Sequence, residues 1–118
     1  MSKEDVTIYH NPRCSKSRQT LTLLRDRGIE PQVVEYLNAP PGPAELARVL
    51  DLLGMEPREL MRKKEAPYTE LGLDDADKSR EELIRAMCDN PILIERPIVL
   101  AGGKAALGRP PEAVLDIL

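Results

Sequence analysis

Residues 6 to 37 place a strand, a helix and a second strand in succession, and that succession restricts the fold more than any other feature of the chain. Val6-Thr7-Ile8-Tyr9 mixes β-branched and aromatic residues and stops at the Asn11-Pro12 break. From Ser15 to about Gly28, Leu21, Leu23 and Leu24 recur at helical spacing, with Gly28 placed to end the helix. Gln32-Val33-Val34-Glu35-Tyr36-Leu37 reads as the second strand. Such a βαβ unit closes by a right-handed crossover, which predicts two parallel strands in one sheet.

Ala39-Pro40-Pro41-Gly42-Pro43 follows as a rigid joint, because proline fixes φ and holds the preceding residue extended. Beyond it the pattern is helical to about residue 90. Ala44 to Leu53 has apolar residues at 46, 49, 50 and 53, and Glu59 to Lys64 and Ser79 to Cys88 continue the helical reading, with Asp77 or Ser79 as N-cap. After Pro91, Ile92-Leu93-Ile94 leads into Arg96-Pro97-Ile98-Val99-Leu100. Gly102-Gly103 separates that run from Ala105-Ala106-Leu107, a hairpin signature, and Pro111 to Leu118 reads as a closing helix with proline at its start. The order βαβ, insert, ββα predicts one α/β domain over residues 1–118: a thioredoxin-like fold with a mixed sheet and a helical insert at about 40–90.

A chain of 118 residues suits a single core. With no Trp, no Phe and three Tyr, that core must be aliphatic. The net charge of −3 argues against sequence-independent nucleic-acid binding, which needs a basic face to displace counterions. The N-terminus lacks the apolar run of a secretory signal, and no stretch is long enough to span a membrane, so a cytoplasmic protein is expected. Two cysteines 74 positions apart make neither a disulfide framework nor a zinc site.

The chemistry concentrates in His10-Asn11-Pro12-Arg13-Cys14-Ser15-Lys16-Ser17-Arg18. Cys14 falls between a strand end and the first turn of a helix, where unpaired N–H groups and the positive end of the helix dipole stabilise a thiolate. Arg13, Lys16 and Arg18 add to the field. Cys14 is therefore the candidate nucleophile. Ser17 stands where a CxxC oxidoreductase carries its resolving cysteine; its hydroxyl can donate a hydrogen bond to the thiolate but cannot form a disulfide, so a thiol from elsewhere must resolve any adduct. His10, the single histidine, can tune the thiol or carry a proton. A cysteine-phosphatase loop is excluded because position 20, where its arginine would stand, is Thr. Cys88 lies on an apolar stripe with Leu83, Ile84 and Met87 and reads as a packed thiol.

Tyr9-His10-Asn11-Pro12-x-Cys14-x-x-Ser17-Arg18 resembles the signature of the arsenate reductases that work with glutathione and glutaredoxin. The similarity continues in Leu60-Met61-Arg62-Lys63-Lys64, Pro67-Tyr68-x-x-Leu71-Gly72-Leu73, Asn90 to Val99 and Gly108-Arg109-Pro110-Pro111. The resemblance implies that Cys14 attacks arsenate and that Arg62, Arg96 and Arg109 cradle the oxyanion, with His10 and Ser17 standing beside Cys14 as catalytic candidates. Asn11 and Arg18 join them as substrate-binding candidates. It implies glutathione as co-substrate and glutaredoxin as protein partner; nothing in the chain suggests a metal or bound organic cofactor, and a monomer is expected. Pro97 corresponds to the cis-proline that thioredoxin-like folds set beside their cysteine. Two other readings stay open at this level: a regulator that binds RNA polymerase, disfavoured because Ser17 removes the CxxC switch, and a general glutathione-dependent thiol reductase.

Overall fold

The computed structural model describes residues 6–118, and their contacts divide into two compact units: residues 6–39 with 96–118, and residues 40–95. The first unit holds β1 (Val6–Tyr9), α1 (Ser15–Asp26), β2 (Gln32–Val34), β3 (Ile98–Ala101), β4 (Lys104–Leu107) and a closing 3-10 helix over Pro111–Ile117. The sheet order is β2-β1-β3-β4. β1 and β2 run parallel, with Ile8 opposite Val33, as the crossover argument predicts. β3 runs antiparallel to β1, with Ile8 opposite Val99, and β4 antiparallel to β3, with Val99 opposite Ala106. A parallel βαβ half joined through its first strand to an antiparallel ββ half is the thioredoxin-like mixed sheet.

Strand alternation puts Val6 and Ile8 of β1, and Val99 and Ala101 of β3, on one face, where Leu24 of α1 and Val114 of the closing helix complete a fully aliphatic core. Burying each of these larger aliphatic side chains contributes roughly 1.5–3 kcal/mol before entropy is counted. The β3–β4 hairpin turns on Gly102 and Gly103 at φ 55° and 78°, a two-residue turn that side chains resist at both positions.

Gly108, just after β4, is required for a different reason. A Cβ there would lie 2.7 Å from Pro97 Cγ and 2.7 Å from Thr20 Oγ1. Its N–H also donates to the Pro97 carbonyl at 2.9 Å, so the backbone is held against that wall. Gly108→Ala is expected to cost about 1–3 kcal/mol through overpacking, seen as a lower urea midpoint at unchanged slope. An unchanged midpoint would mean that Pro97 and Thr20 yield freely.

The second unit contains α2 (Pro43–Leu53), α3 (Ala66–Glu70), α4 (Arg80–Asp89) and 3-10 turns at Pro57–Leu60 and Pro91–Leu93. Pro43 opens α2, whose buried face is Leu46, Val49 and Leu50. Ser79, not Asp77, caps α4: Ser79 Oγ accepts from the Glu82 N–H at 3.1 Å, and Glu82 Oε1 accepts from the Ser79 N–H at 3.3 Å. Asp77 instead donates its N–H to Asp75 Oδ1 in the preceding turn.

Four expectations require correction. The helix predicted over Glu59–Lys64 is absent. Met61 is extended and bridges Ile94, with Glu95 N–H donating to Leu60 O at 2.8 Å and Arg62 N–H to Leu93 O at 2.7 Å, so non-local pairing outcompetes local propensity. The strand expected over 32–37 ends at Val34, because the Asn38 and Ala39 N–H groups turn back onto the Glu35 carbonyl. β3 begins at Ile98 rather than Arg96, since Pro97 has no N–H to give a ladder; Arg96-Pro97 and Arg109-Pro110 are both cis. The closing helix is 3-10, not α.

Candidate active site

The loop from His10 to Cys14 is shaped by its own backbone. Asn11 Oδ1 accepts the Arg13 N–H at 3.0 Å, an Asx turn, while the Asn11 carbonyl accepts the Cys14 N–H at 3.0 Å. Arg18 Nη1 reaches back to the Pro12 carbonyl at 2.9 Å, clamping the loop from the helix side. Cys14 thereby becomes the N-cap of α1, at φ −95° and ψ 123°, with its sulfur at the open end of the first turn. No acidic residue occupies that turn, so the positive end of the helix dipole is unopposed within it.

Burial is the largest influence on the Cys14 thiol and by itself pushes its pKa up. The Ser17 backbone N–H, the hydrogen bond and charge of the Arg96 guanidinium, and the Lys16 N–H outweigh it together, so the thiol ends below its ordinary value. Arg109 Nη2 approaches the sulfur at 3.7 Å, and Arg109 Nε donates to the Arg96 carbonyl at 2.8 Å, which ties one guanidinium to the other's backbone. Cys14 keeps 8% of its surface exposed. The result is a sulfur whose ionisation is favoured, flanked by two forked cations and the N–H groups of a helix start, an arrangement that can hold a tetrahedral oxyanion against a nucleophile.

Ser17 acts differently from the simplest expectation. Its hydroxyl oxygen accepts from the Asn11 N–H at 3.0 Å and lies 2.7 Å from His10 Nδ1, and the group facing the sulfur is its backbone N–H. Burial is the main cause that lowers the His10 pKa; Glu35 opposes it, and Arg25 and Arg18 reinforce it. A neutral ring accepting the Ser17 hydroxyl proton at Nδ1 satisfies both side chains, so His10 braces the loop through Ser17. Glu35 and Arg25 enter this balance without any motif to announce them; only the pairing of β2 beside β1 brings residue 35 near residue 10.

Of the predicted residues, His10, Asn11, Cys14, Ser17, Arg18, Arg96 and Arg109 all belong to the first unit. Arg62 belongs to the second. There Nη1 donates to Glu95 Oε1 at 2.8 Å and Nε to Glu65 Oε2 at 3.4 Å. Burial would lower its pKa, but the two carboxylates raise it above the ordinary value. Thr20, in the slot where a phosphatase would carry arginine, is fully buried and donates to the Lys16 carbonyl at 2.8 Å. Burial and Asp89 push the Cys88 thiol up, the opposite of Cys14. Among the described residues there is no cluster of three or more metal-binding side chains and no helix long and apolar enough to cross a membrane.

The chain is similar to several known proteins. The chain is 60% identical over 119 residues to the uncharacterized protein YfgD of Escherichia coli K12, covering 100% of this chain and 99% of that one. It is 53% identical to an arsenate reductase of Rhizobium meliloti, over 96% of this chain and 81% of the relative. A solved arsenate reductase from Vibrio cholerae superposes with a TM-score of 0.93 at 54% identity, covering 96% of this chain and 97% of that one. The ArsC family model matches residues 9–117, and with the thioredoxin-like sheet and the cysteine at the mouth of α1 it establishes that this chain belongs to the ArsC family.

Proposed function

We propose that this chain is a cytoplasmic arsenate reductase, one monomeric catalytic domain over residues 1–118 that uses Cys14 as nucleophile and glutathione and glutaredoxin as reductants, without a bound cofactor. The observation that carries the reading is the Cys14 sulfur, held below its ordinary pKa and met by Arg109 at 3.7 Å and by Arg96. Relatives named arsenate reductase at about half identity or more support the substrate.

In the proposed sequence, the Cys14 thiolate forms a bond to arsenic and an arsenate oxygen leaves as water. Arg96 and Arg109 stabilise the charge on the remaining oxygens. Arg62, paired with Glu95 through Nη1 and with Glu65 through Nε, is the third guanidinium this reading assigns to the oxyanion. Glutathione then adds its sulfur to arsenic and displaces a second oxygen. The glutaredoxin thiolate attacks the glutathione sulfur, forming a mixed disulfide. The electron pair of the broken S–As bond stays on arsenic, which becomes As(III), and hydrolysis of the Cys14–arsenic bond releases arsenite. The two electrons come from the two sulfurs that end in the mixed disulfide, so Cys14 finishes as it began and no second cysteine is needed.

Arsenate-dependent NADPH oxidation, coupled through glutathione reductase, tests this directly. The rate is expected to require arsenate, glutathione and glutaredoxin together. Undiminished turnover without glutaredoxin would overturn the assignment of the partner, and no arsenate-dependent rate under any thiol donor would overturn the activity.

A further inference from the structure

Residues 6–25 contain four cations, Arg13, Lys16, Arg18 and Arg25, and no carboxylate, although the whole chain carries −3. The other residues therefore hold a net −7, so positive charge is segregated onto the stretch that bears the nucleophile. The structure leaves three of the four open. Arg25 pairs with Glu30 at 3.0 Å, whereas among the described residues no carboxylate comes within ion-pair distance of Arg13, Lys16 or Arg18. All three are exposed, and Cys14, between them in sequence, keeps 8% of its surface. Arg18 is occupied as the clamp on the Pro12 carbonyl. Arg13 and Lys16 have no such duty. The field expected from them at the sulfur is supplied instead by Arg96, and burial and two backbone N–H groups complete that balance.

We propose that the Arg13 and Lys16 side chains form a capture rim for the anionic substrate: they draw arsenate to the mouth of α1 and pass it to Arg96 and Arg109, without touching it when the sulfur attacks. The inference rests on the arsenate reductase reading and adds to it two residues that the reaction itself leaves unused. A patch of one sign raises the local concentration of an oppositely charged solute and its rate of encounter. Arsenate is an anion at neutral pH, and a protein that is negative elsewhere repels it over most of its surface, so a local reversal of sign decides where it arrives. Arg13 is one residue from Cys14 and Lys16 two, a separation of about 4–8 Å along the chain. That is within the roughly 8 Å over which charges act at physiological ionic strength. Opposing charges are unevenly placed. Glu35 lines a cleft with Arg13, and Asp26 and Glu112 line a groove with Arg18, but Lys16 borders neither cavity. Lys16 is therefore the stronger member of the rim.

The test sets anionic iodoacetate against neutral iodoacetamide on the full-length protein, because the ratio of their rates at Cys14 cancels any change in the thiolate fraction. Arg13→Gln and Lys16→Gln keep the backbone N–H groups that shape the loop. Together, at about 10 mM salt, they are expected to lower that ratio about fourfold, with Lys16→Gln giving the larger share, and the difference should vanish in about 1 M salt. In the coupled assay the same pair is expected to raise the KM for arsenate about fivefold at low salt with kcat unchanged, the pattern of lost uniform binding. A rate ratio that the substitutions leave alone would overturn the proposal, and so would an unmoved arsenate KM in an enzyme that turns over; in either case the activity stands. A ratio that falls as expected in a protein with no arsenate turnover would support the rim as an anion collector and sink the reductase reading.

Discussion

Cys14→Ser is expected to abolish arsenate reduction, by about 10³-fold or more, while making the protein more stable. Loss of activity follows from what the sulfur supplies. A serine hydroxyl stays protonated at neutral pH, so it does not displace an arsenate oxygen and the adduct that glutathione must attack never forms. The gain in stability follows from position. Cys14 is the N-cap of α1 in extended geometry, and its side chain makes no capping hydrogen bond. The sulfur receives the Ser17 and Lys16 N–H groups, but as a larger and softer acceptor it does so without the tight geometry of an oxygen cap. Serine is among the best N-caps, worth about 0.5–1 kcal/mol here. Chemical denaturation of the two proteins side by side measures this. A variant that is inactive and also less stable would show that the cysteine is needed for packing, and the capping argument would fail. A variant retaining wild-type turnover would remove the nucleophile from the mechanism.

The same residue explains why the centre of this molecule can be read from its sequence and why the margins cannot. A strand end, a break at Asn11-Pro12, a cysteine and a helix start are local signals within ten residues. The helix dipole then acts on Cys14 whatever the remaining chain does. The βαβ order and the Gly102-Gly103 turn are equally local, and the sheet follows from them with its parallel and antiparallel halves. What local patterns miss is decided by distant partners. Met61 leaves the helical pattern because residues 93 to 95 offer its neighbours better hydrogen bonds. Gly108 looks like an ordinary strand end, yet it is required by Pro97 and by Thr20, eighty-eight positions earlier. Ser17 is the subtlest instance. Its place three residues after Cys14 marks it for the sulfur, but Asn11 and His10 take the hydroxyl and leave the backbone N–H to do that work.

Arg96→Leu is expected to lower arsenate reduction about 10²-fold, the usual loss when one oxyanion-stabilising group is removed, and to move Cys14 alkylation to higher pH. The direction follows from the balance at the sulfur. Burial pushes the thiol up most strongly, and Arg96 opposes it twice, by hydrogen bond and by charge. Without Arg96 the two backbone N–H groups and Arg109 remain, and protonation of the thiol is favoured at a pH where the wild-type sulfur is already ionised. Iodoacetamide should therefore react more slowly with the variant at pH 7, and the two rates should converge at pH values above both midpoints. Arg109 should stay in place, since its anchor is the Arg96 carbonyl, which the substitution keeps. Two roles are then separable, because raising the pH restores the thiolate but not the lost contact with the oxyanion. Activity of Arg96→Leu should recover only in part at high pH. Arg96→Lys should restore most of the alkylation profile through its charge and less of the turnover, because an ammonium lacks the planar fork. Equal alkylation rates for wild type and Arg96→Leu across the whole pH range would show that the helix start alone makes the thiolate, and the arginine would then be left with the substrate only.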